Sequence, residues 1–158
     1  MSGKIDARLA ELGITLPDAP APAANYVPYV VTGNLVFISG QVPFVDGKLA
    51  ATGVVGDGNV TEDQAIIEAR TCAINLLSQL KAACGGDLDR VRRVVKLGGF
   101  VASTPDFNMQ PKIVNGASDL MVEVFGKDVG AHARFAVGAS ALPLGCVVEV
   151  EGMFEIDG

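Results

Sequence analysis

Apolar residues along this chain follow two spacings, one typical of helices and the other typical of strands. The clearest helical segment is Glu62–Cys84, with Thr61 at the N-cap position, Gln64 at the capping-box position and Gly85 after its end. Its apolar residues recur three and four positions apart and form a wide stripe. This pattern predicts a long helix that lies against a sheet.

Two further helices and an irregular arm are predicted from the same criteria. Ile5–Leu12 carries apolar residues on one face and is followed by a glycine that can end a short helix. Leu16–Ala24 is rich in proline and alanine, which favours an arm without regular structure. A second long helix is expected from Gln110 to Phe125, with Gly126 after it.

The first strands are indicated by short runs of β-branched and aromatic residues. Tyr29–Val31 and Leu35–Ser39 flank Thr32-Gly33-Asn34, which predicts a hairpin. A weaker strand is expected within Gly47–Thr52. Val91–Ala102 is a longer β-rich run and predicts a strand between the two long helices.

The last two strands are predicted at Ala131–Ala141 and Cys146–Ile156, separated by the turn Leu142–Gly145. We interpret them as an antiparallel hairpin, in which case Arg134 and Glu149 share one sheet face. That face is small or polar on one strand and acidic on the other, so we expect it to be the face without helices. The two side chains would then serve one site with a ligand between them, or belong to neighbouring sites.

The order of these elements predicts an α+β fold with two long helices on one face of a single sheet. We expect one domain, in which 1–24 forms an N-terminal helix and arm and 25–158 forms the main body. The uncovered face must meet either water or another subunit.

Composition excludes several classes of function. The chain has 158 residues with 18 acidic and 12 basic side chains, and its net charge of −6 opposes binding to phosphate backbones. Its three cysteines show neither disulfide nor zinc spacing, which favours a reducing compartment. Met1–Gly13 does not resemble a signal peptide, and no apolar run is long enough to span a membrane. We expect a cytoplasmic protein that does not bind nucleic acid.

Few side chains stand out as candidates for chemistry. His132 is the only histidine, so neither a Ser–His–Asp arrangement nor a histidine metal cluster is available. The glycine-rich segment Gly53–Asn59 lacks the Lys-Ser/Thr of a phosphate loop. No metal and no cofactor is therefore expected. From the residues alone, Arg134 serves either a ligand or an ion pair with Glu151 or Glu123, and Glu149 either a site or a solvated face.

Two blocks of sequence resemble the Rid/YjgF superfamily, which includes reactive intermediate deaminases and endoribonuclease L-PSP-like proteins. The N-terminal block is Asn34–Pro43, with Ser-Gly-Gln-x-Pro at its end. The C-terminal blocks are Ala133–Val137, Leu142-Pro143 and Val148–Glu151. The resemblance covers roughly residues 26–155. It implies a chorismate-mutase-like fold, a homotrimer whose sheets close into a barrel, and sites in clefts between subunits.

The same resemblance implies roles for individual residues. Arg134 corresponds to the arginine that binds the substrate carboxylate, and Glu149 to the glutamate that positions the attacking water. Ser39 and Gly40 correspond to a segment that lines the pocket. The complete set of implied site residues is Tyr26, Ser39, Gly40, Asn115, Arg134 and Glu149.

The chain departs from the family pattern at two positions beside Arg134. Ala136 stands where the best-known members have a cysteine, and His132 stands where a proline or alanine is usual. The expected function is hydrolytic deamination of imines and enamines derived from amino acids, such as 2-aminoacrylate and 2-iminobutyrate. The alternatives are a non-catalytic trimer that binds small carboxylates or partner proteins and, against the acidic charge, an endoribonuclease or translation inhibitor.

Overall fold

Five strands form the main sheet in the computed structural model, which describes residues 3–22 and 24–158. The N-terminal segment 1–24 includes residues 1, 2 and 23, which lie outside the described residues. The sheet has the order β1-β2-β7-β5-β6, and β3 and β4 form a separate small hairpin. The strands are β1 (Tyr29–Thr32), β2 (Leu35–Gln41), β3 (Phe44–Val45), β4 (Lys48–Leu49), β5 (Val91–Ala102), β6 (Ala133–Ala139) and β7 (Val148–Ile156).

Three α-helices accompany the sheet, namely α1 (Lys4–Glu11), α2 (Glu62–Ala83) and α3 (Gln110–Gly130). The two long helices pack together on one face of the sheet, and the apolar core lies between them and the strands. This arrangement confirms the α+β class and the expected cover of a single sheet face. Because the second face has no helix within the described residues, it remains open in one copy of the chain.

Helix α2 begins as its sequence predicts. The Thr61 hydroxyl accepts a hydrogen bond from the backbone N–H of Gln64 at 3.1 Å. The Gln64 side chain does not complete a capping box, because its amide donates instead to Glu68 at 2.7 Å. Further along, Leu76 and Leu80 are fully buried, so the predicted apolar stripe faces the core.

Strand β5 occupies the position between β7 and β6, and the predicted hairpin of the last two strands is therefore wrong. Val101 of β5 pairs with Val148 of β7 in the antiparallel sense and with Gly138 of β6 in the parallel sense. A helix that crosses over the sheet returns the chain parallel to its starting strand, and α3 does this between β5 and β6. The segment Pro143–Gly145 still turns the chain, but it leads β7 to the far side of β5.

The open face also differs from the one expected for β6. Arg134 pairs in register with Leu97, which is fully buried beneath the helices. Arg134, Ala136 and Gly138 therefore share the helix-covered face, and Phe135 lies on the open face. Glu149 lies on the open face of β7, as expected, so Arg134 and Glu149 are on opposite faces. Small residues occur under α3 because they let the helix approach closely.

The other boundaries lie within two residues of the predictions with two exceptions, and β3 was not predicted. The first hairpin turns at Gly33, which has a φ of 58°, and β5 spans the predicted residues. Helix α3 extends to Gly130 instead of ending at Phe125, since the chain leaves the helical conformation at Gly126 and then resumes it. The expected strand within Gly47–Thr52 is reduced to the two residues of β4.

Helix α1 is attached to the body by a carboxylate from a distant part of the chain. The Asp89 side chain accepts hydrogen bonds from the backbone N–H groups of Lys4 and Ile5, both at 2.8 Å. Hydrogen bonds from Ile5 and then Lys4 lower the pKa of Asp89. Lys81 of α2 also pairs with Asp6 at 2.9 Å. The predicted N-terminal helix is therefore part of the folded body.

Candidate functional site

The expected site residues fall into two groups within one copy of the chain. Arg134 lies in β6, at an edge of the sheet, and contacts Asn115 of α3. Tyr26, Gly40 and Glu149 line a cavity beside β2 and β7, and Ser39 precedes Gly40 in β2. The structure thus places four of the six residues near one another and the other two elsewhere.

The Arg134 guanidinium is held by three hydrogen bonds to α3. Nη1 donates to Asn115 Oδ1 at 2.8 Å and to Ser118 Oγ at 3.1 Å. Nη2 donates to the carbonyl of Pro111 at 3.2 Å. These contacts fix the plane and direction of the guanidinium. Each of these groups is neutral, so the positive charge has no counter-charge among them.

The ion pairs considered for Arg134 are absent within the described residues. Glu123 pairs with Arg70 of α2 at 3.0 Å. Glu151 lies on the open face, since a Cβ at Gly98 would contact both Phe135 and Glu151. Arg134 belongs to no salt bridge in residues 3–22 and 24–158. Its geometry favours the ligand interpretation over the structural one.

Ser118 and His132 form a second layer behind Arg134, and the sequence did not identify Ser118. His132 Nδ1 lies 2.6 Å from the carbonyl of Gly130, and Nε2 lies 2.8 Å from Ser118 Oγ. Since the carbonyl accepts, Nδ1 carries a proton, and in the neutral imidazole Nε2 accepts from the Ser118 hydroxyl. Ser118 Oγ can then accept from Arg134. The three-residue spacing of Asn115 and Ser118 on one helix face was the available signal.

A cavity of about 470 Å³ lies beside Glu149, two strands away from β6. The Glu149 side chain is partly buried, and burial first and the charge of Glu151 second raise its pKa. A Cβ on Gly40 would collide with the Glu149 carboxylate. Glycine at this position therefore leaves room for the carboxylate against β2.

The remaining predicted residues, Ser39 and Tyr26, lie near this cavity in different ways. Ser39 Oγ donates to the carbonyl of Val27 at 2.8 Å, so its hydroxyl secures the chain before β1. Gln41 donates from its side-chain amide to the carbonyl of Ser39 at 2.9 Å. Tyr26 is 47% exposed and lies at the rim of the cavity. Gly40 therefore lines the cavity, whereas Ser39 lies next to it in β2 and uses its hydroxyl to hold the chain before β1.

The two groups are too far apart to contact one small ligand in a single copy. Glu149 is level with Phe100 of β5, and Phe100 is level with Val137 of β6, three residues from Arg134. At about 4.8 Å between strands and about 3.3 Å along them, the Arg134 and Glu149 α-carbons are about 14 Å apart. Their side chains also leave opposite faces of the sheet. Each group therefore forms an incomplete site by itself.

The open face between the two groups combines aromatic and aliphatic side chains with the charged side chains of Lys96 and Glu151. Phe100 and Phe135 pack edge to face with their ring centroids 5.3 Å apart, and Lys96 Nζ lies 5.5 Å from the centre of the Phe135 ring. Phe37 and Val137 are both more than a third exposed. Uncovered apolar side chains flanked by charged ones are typical of a face that meets another protein surface.

Other kinds of site receive no support from the described part of the chain. Within residues 3–22 and 24–158, no three or more His, Cys, Asp or Glu side chains are grouped to hold a metal ion. Cys72, Cys84 and Cys146 are free and buried, and burial raises the pKa of each thiol. No helix in these residues is long and apolar enough to cross a membrane.

Comparison with known proteins decides the family. Residues 6–156 match the family model described as “YjgF/chorismate_mutase-like, putative endoribonuclease”. The chain belongs to the YjgF family. Protein TCP17 of Trypanosoma cruzi, a similar protein, is 52% identical to this YjgF-family chain over 99% of the chain and 96% of its own length.

Two further relatives place this YjgF-family chain in context. The crystal structure of Atu1372 from Agrobacterium tumefaciens, a protein with unknown function, is 50% identical and superposes with a TM-score of 0.89, covering 97% of this chain and 92% of that one. The 2-iminobutanoate/2-iminopropanoate deaminase of Dermatophagoides farinae is 28% identical over 91% of this chain and 95% of its own length. The family therefore includes a named imine deaminase at a greater distance.

Proposed function

We propose that this chain hydrolyses 2-imino acids to 2-keto acids and ammonia, at sites shared between neighbouring copies of a homotrimer. The observation that carries the proposal is the placement of Arg134 and Glu149 on opposite faces of one sheet. Within one copy, Arg134 can bind a carboxylate but has no water-activating group beside it. Glu149 can activate water but has no carboxylate-binding group beside it. Packing two copies side by side can complete a site from both halves.

The Arg134 half suits a carboxylate. A guanidinium has five N–H donors, and three hydrogen bonds to α3 leave two donors for a ligand. Two parallel donors are what a carboxylate accepts in a bidentate pair. Because α3 fixes the guanidinium, the bound carboxylate has one orientation and the imine carbon next to it is fixed as well.

The Glu149 half suits the activation of water. A raised pKa makes this carboxylate a better proton acceptor than an exposed glutamate. Glu149 takes a proton from water as the oxygen bonds to the imine carbon, and it passes this proton to the imine nitrogen, which gives a carbinolamine. It then transfers the remaining hydroxyl proton to the amine as the carbon–nitrogen bond breaks and the carbonyl forms. Water supplies the oxygen of the keto acid, and ammonia leaves. Imines hydrolyse slowly unaided, so orientation and one base are sufficient.

Mixed trimers test the proposal. Arg134→Ala and Glu149→Gln are each expected to be inactive in the hydrolysis of 2-iminobutyrate generated by an amino acid oxidase. When the two variants are co-expressed with different tags, a shared site is intact where one copy supplies Arg134 and its neighbour supplies Glu149. Random mixing in a closed ring makes about a quarter of the sites intact, so about a quarter of the wild-type activity should return.

The outcomes separate the alternatives. Activity in neither the mixture nor the wild type would overturn deamination. The non-catalytic trimer, which the alanine at position 136 favours, would then be tested by calorimetry with 2-oxobutyrate. An active wild type with an inactive mixture would place both residues in one copy. Light scattering on the wild type measures the mass, which should be about three times 16.3 kDa.

A further inference from the structure

The cavity beside Glu149 has one wall that comes from the N-terminal arm, residues 16–22 and 24. Pro20, Ala21, Pro22 and Ala24 of the arm line the cavity, and they contribute only apolar side chains. The opposite walls are also largely apolar, with Phe44 and Leu144 among them. Glu149 is the only ionisable acid in this lining within the described residues.

A buried amide holds the arm in place. Gln79 of α2 is 2% exposed, and its Nε2 donates to the carbonyl of Pro20 at 2.6 Å. Because a buried amide needs partners for its polar atoms, this contact is costly to lose. The helix before the arm is itself fixed by Asp89 and Lys81. The arm that forms this wall is therefore attached to the body in two ways, directly through Gln79 and indirectly through the helix that precedes it.

The far rim of the cavity is also held in an unusual shape. Leu144 has a φ of 60°, a left-handed conformation that a leucine rarely adopts, and its side chain is 65% exposed. Strained residues of this kind persist where the surrounding structure fixes them, and they concentrate at functional sites. Here the strain presents an apolar side chain at the mouth of a cavity that also contains Glu149.

We infer that the arm makes this site selective for 2-imino acids with a long apolar side chain, of the size of leucine or methionine. The inference rests on the proposed function, since it takes the carboxylate to lie at a neighbour's Arg134 and the imine carbon beside Glu149. The side chain on that carbon then extends into the apolar cavity. A volume of about 470 Å³ is far larger than the methyl group of an alanine-derived imine requires.

Selectivity should grow with each carbon that the cavity buries. One buried methylene corresponds to about a fourfold gain in kcat/KM. The imine from leucine should therefore exceed the imine from alanine by at least about tenfold in kcat/KM. The measurement uses the full chain with imines generated from alanine, 2-aminobutyrate, methionine and leucine.

Two matched pairs of variants test the role of the arm. Ala21→Asp places a charge in the wall, and Ala19→Asp places the same charge in the same arm at an exposed position outside the lining. Gln79→Met releases Pro20, and Ser78→Ala alters the neighbouring buried residue of α2 without touching the arm. Ala21→Asp and Gln79→Met should lower the leucine-to-alanine ratio at least about fivefold, and the two controls should keep it.

Binding of the corresponding keto acids separates failure of this inference from failure of the proposed function. Hydrolysis with no preference for long side chains, or an equal change of the ratio in Ala19→Asp, would overturn the role of the arm and leave deamination standing. No hydrolysis, but calorimetric binding that strengthens from pyruvate to 4-methyl-2-oxopentanoate, would overturn deamination and keep the selectivity. Neither hydrolysis nor graded binding would overturn both.

Discussion

The two halves of the candidate site are built in opposite ways. At Arg134, a permanent charge is surrounded by neutral acceptors on a helix, so its direction is fixed and its charge is left for a ligand. At Glu149, a carboxylate is partly buried beside apolar walls, and its pKa is set by burial and by Glu151 without a hydrogen bond that lowers it. Under the proposed function, the Arg134 half orients the substrate and the Glu149 half transfers protons.

If Glu149 acts as the base, Glu149→Gln should have the largest effect. The amide keeps the shape but cannot accept the proton of water, so kcat should fall by about a hundredfold or more with little change in KM. Steady-state kinetics with 2-iminobutyrate measures this change. Glu155→Gln is the matched control, because it lies on the same face of the same strand and bonds to Asn34 at 3.0 Å. An equal loss in both variants would remove Glu149 from the chemistry.

Arg134→Lys should follow in size. Lysine keeps the charge but loses the paired donors that orient a carboxylate, which should cost about 2–3 kcal/mol in kcat/KM, or roughly a hundredfold. The melting temperature should stay near that of the wild type, because two of the three Arg134 hydrogen bonds are exposed to solvent and Arg134 makes no ion pair within the described residues. Arg93→Lys, at an exposed position on the neighbouring β5, controls for the change of residue type. Full turnover by Arg134→Lys would contradict the orienting role.

Ser118→Ala tests the layer behind Arg134. It removes one of the three hydrogen bonds that fix the guanidinium and the link to His132. Loss of one such bond should raise KM by about tenfold, with a smaller change in kcat. Ser118→Thr restores the hydroxyl and should restore KM, which loss of helix packing alone would not explain. Unchanged kinetics in Ser118→Ala would show that Asn115 and Pro111 suffice to hold the Arg134 guanidinium.

Glu151→Gln should produce the smallest effect, a shift in pH dependence. The negative charge of Glu151 raises the pKa of Glu149, so its removal lowers that pKa. Glu149 acts as a base only when ionised, and the acid limb of the kcat/KM profile should therefore move to lower pH. Glu155 is not among the causes of the shift, so Glu155→Gln should leave the limb in place. A limb that moves upward in Glu151→Gln would exclude Glu149 as the titrating group.

Local pattern was enough to predict most elements of this fold. Capping residues, apolar spacing and turn glycines identified α2, β5 and the first hairpin, because each depends on neighbours along the chain. The order of the strands depends on distant pairing, and the turn at Leu142–Gly145 gave no information about it. A strand, a long helix and another strand usually form a parallel crossover, and β5, α3 and β6 carried that signal.

The wrong face of β6 has a similar cause. Ala136 and Gly138 are small, which we interpreted as an exposed face, whereas small residues also permit close packing of a helix. Gly99 illustrates this, since a Cβ there would lie 2.5 Å from Val114 of α3. Residue patterns were enough to select Arg134 and Glu149 as candidates. Their relative position in space could be found only from the pairing of the strands.

The cap that Asp89 supplies to α1 affects the order in which the newly made chain acquires its structure. Lys4 leaves the ribosome 85 residues before the carboxylate that satisfies its backbone N–H. At about 5–20 residues per second, the N-terminal segment waits several seconds for that partner. Arg8 waits longer, because its Nε donates to the carbonyl of Glu123. The α1 segment, which is made before the residues that hold it, is thus among the last to dock, and a nascent chain stalled before Asp89 should leave this segment open to proteases.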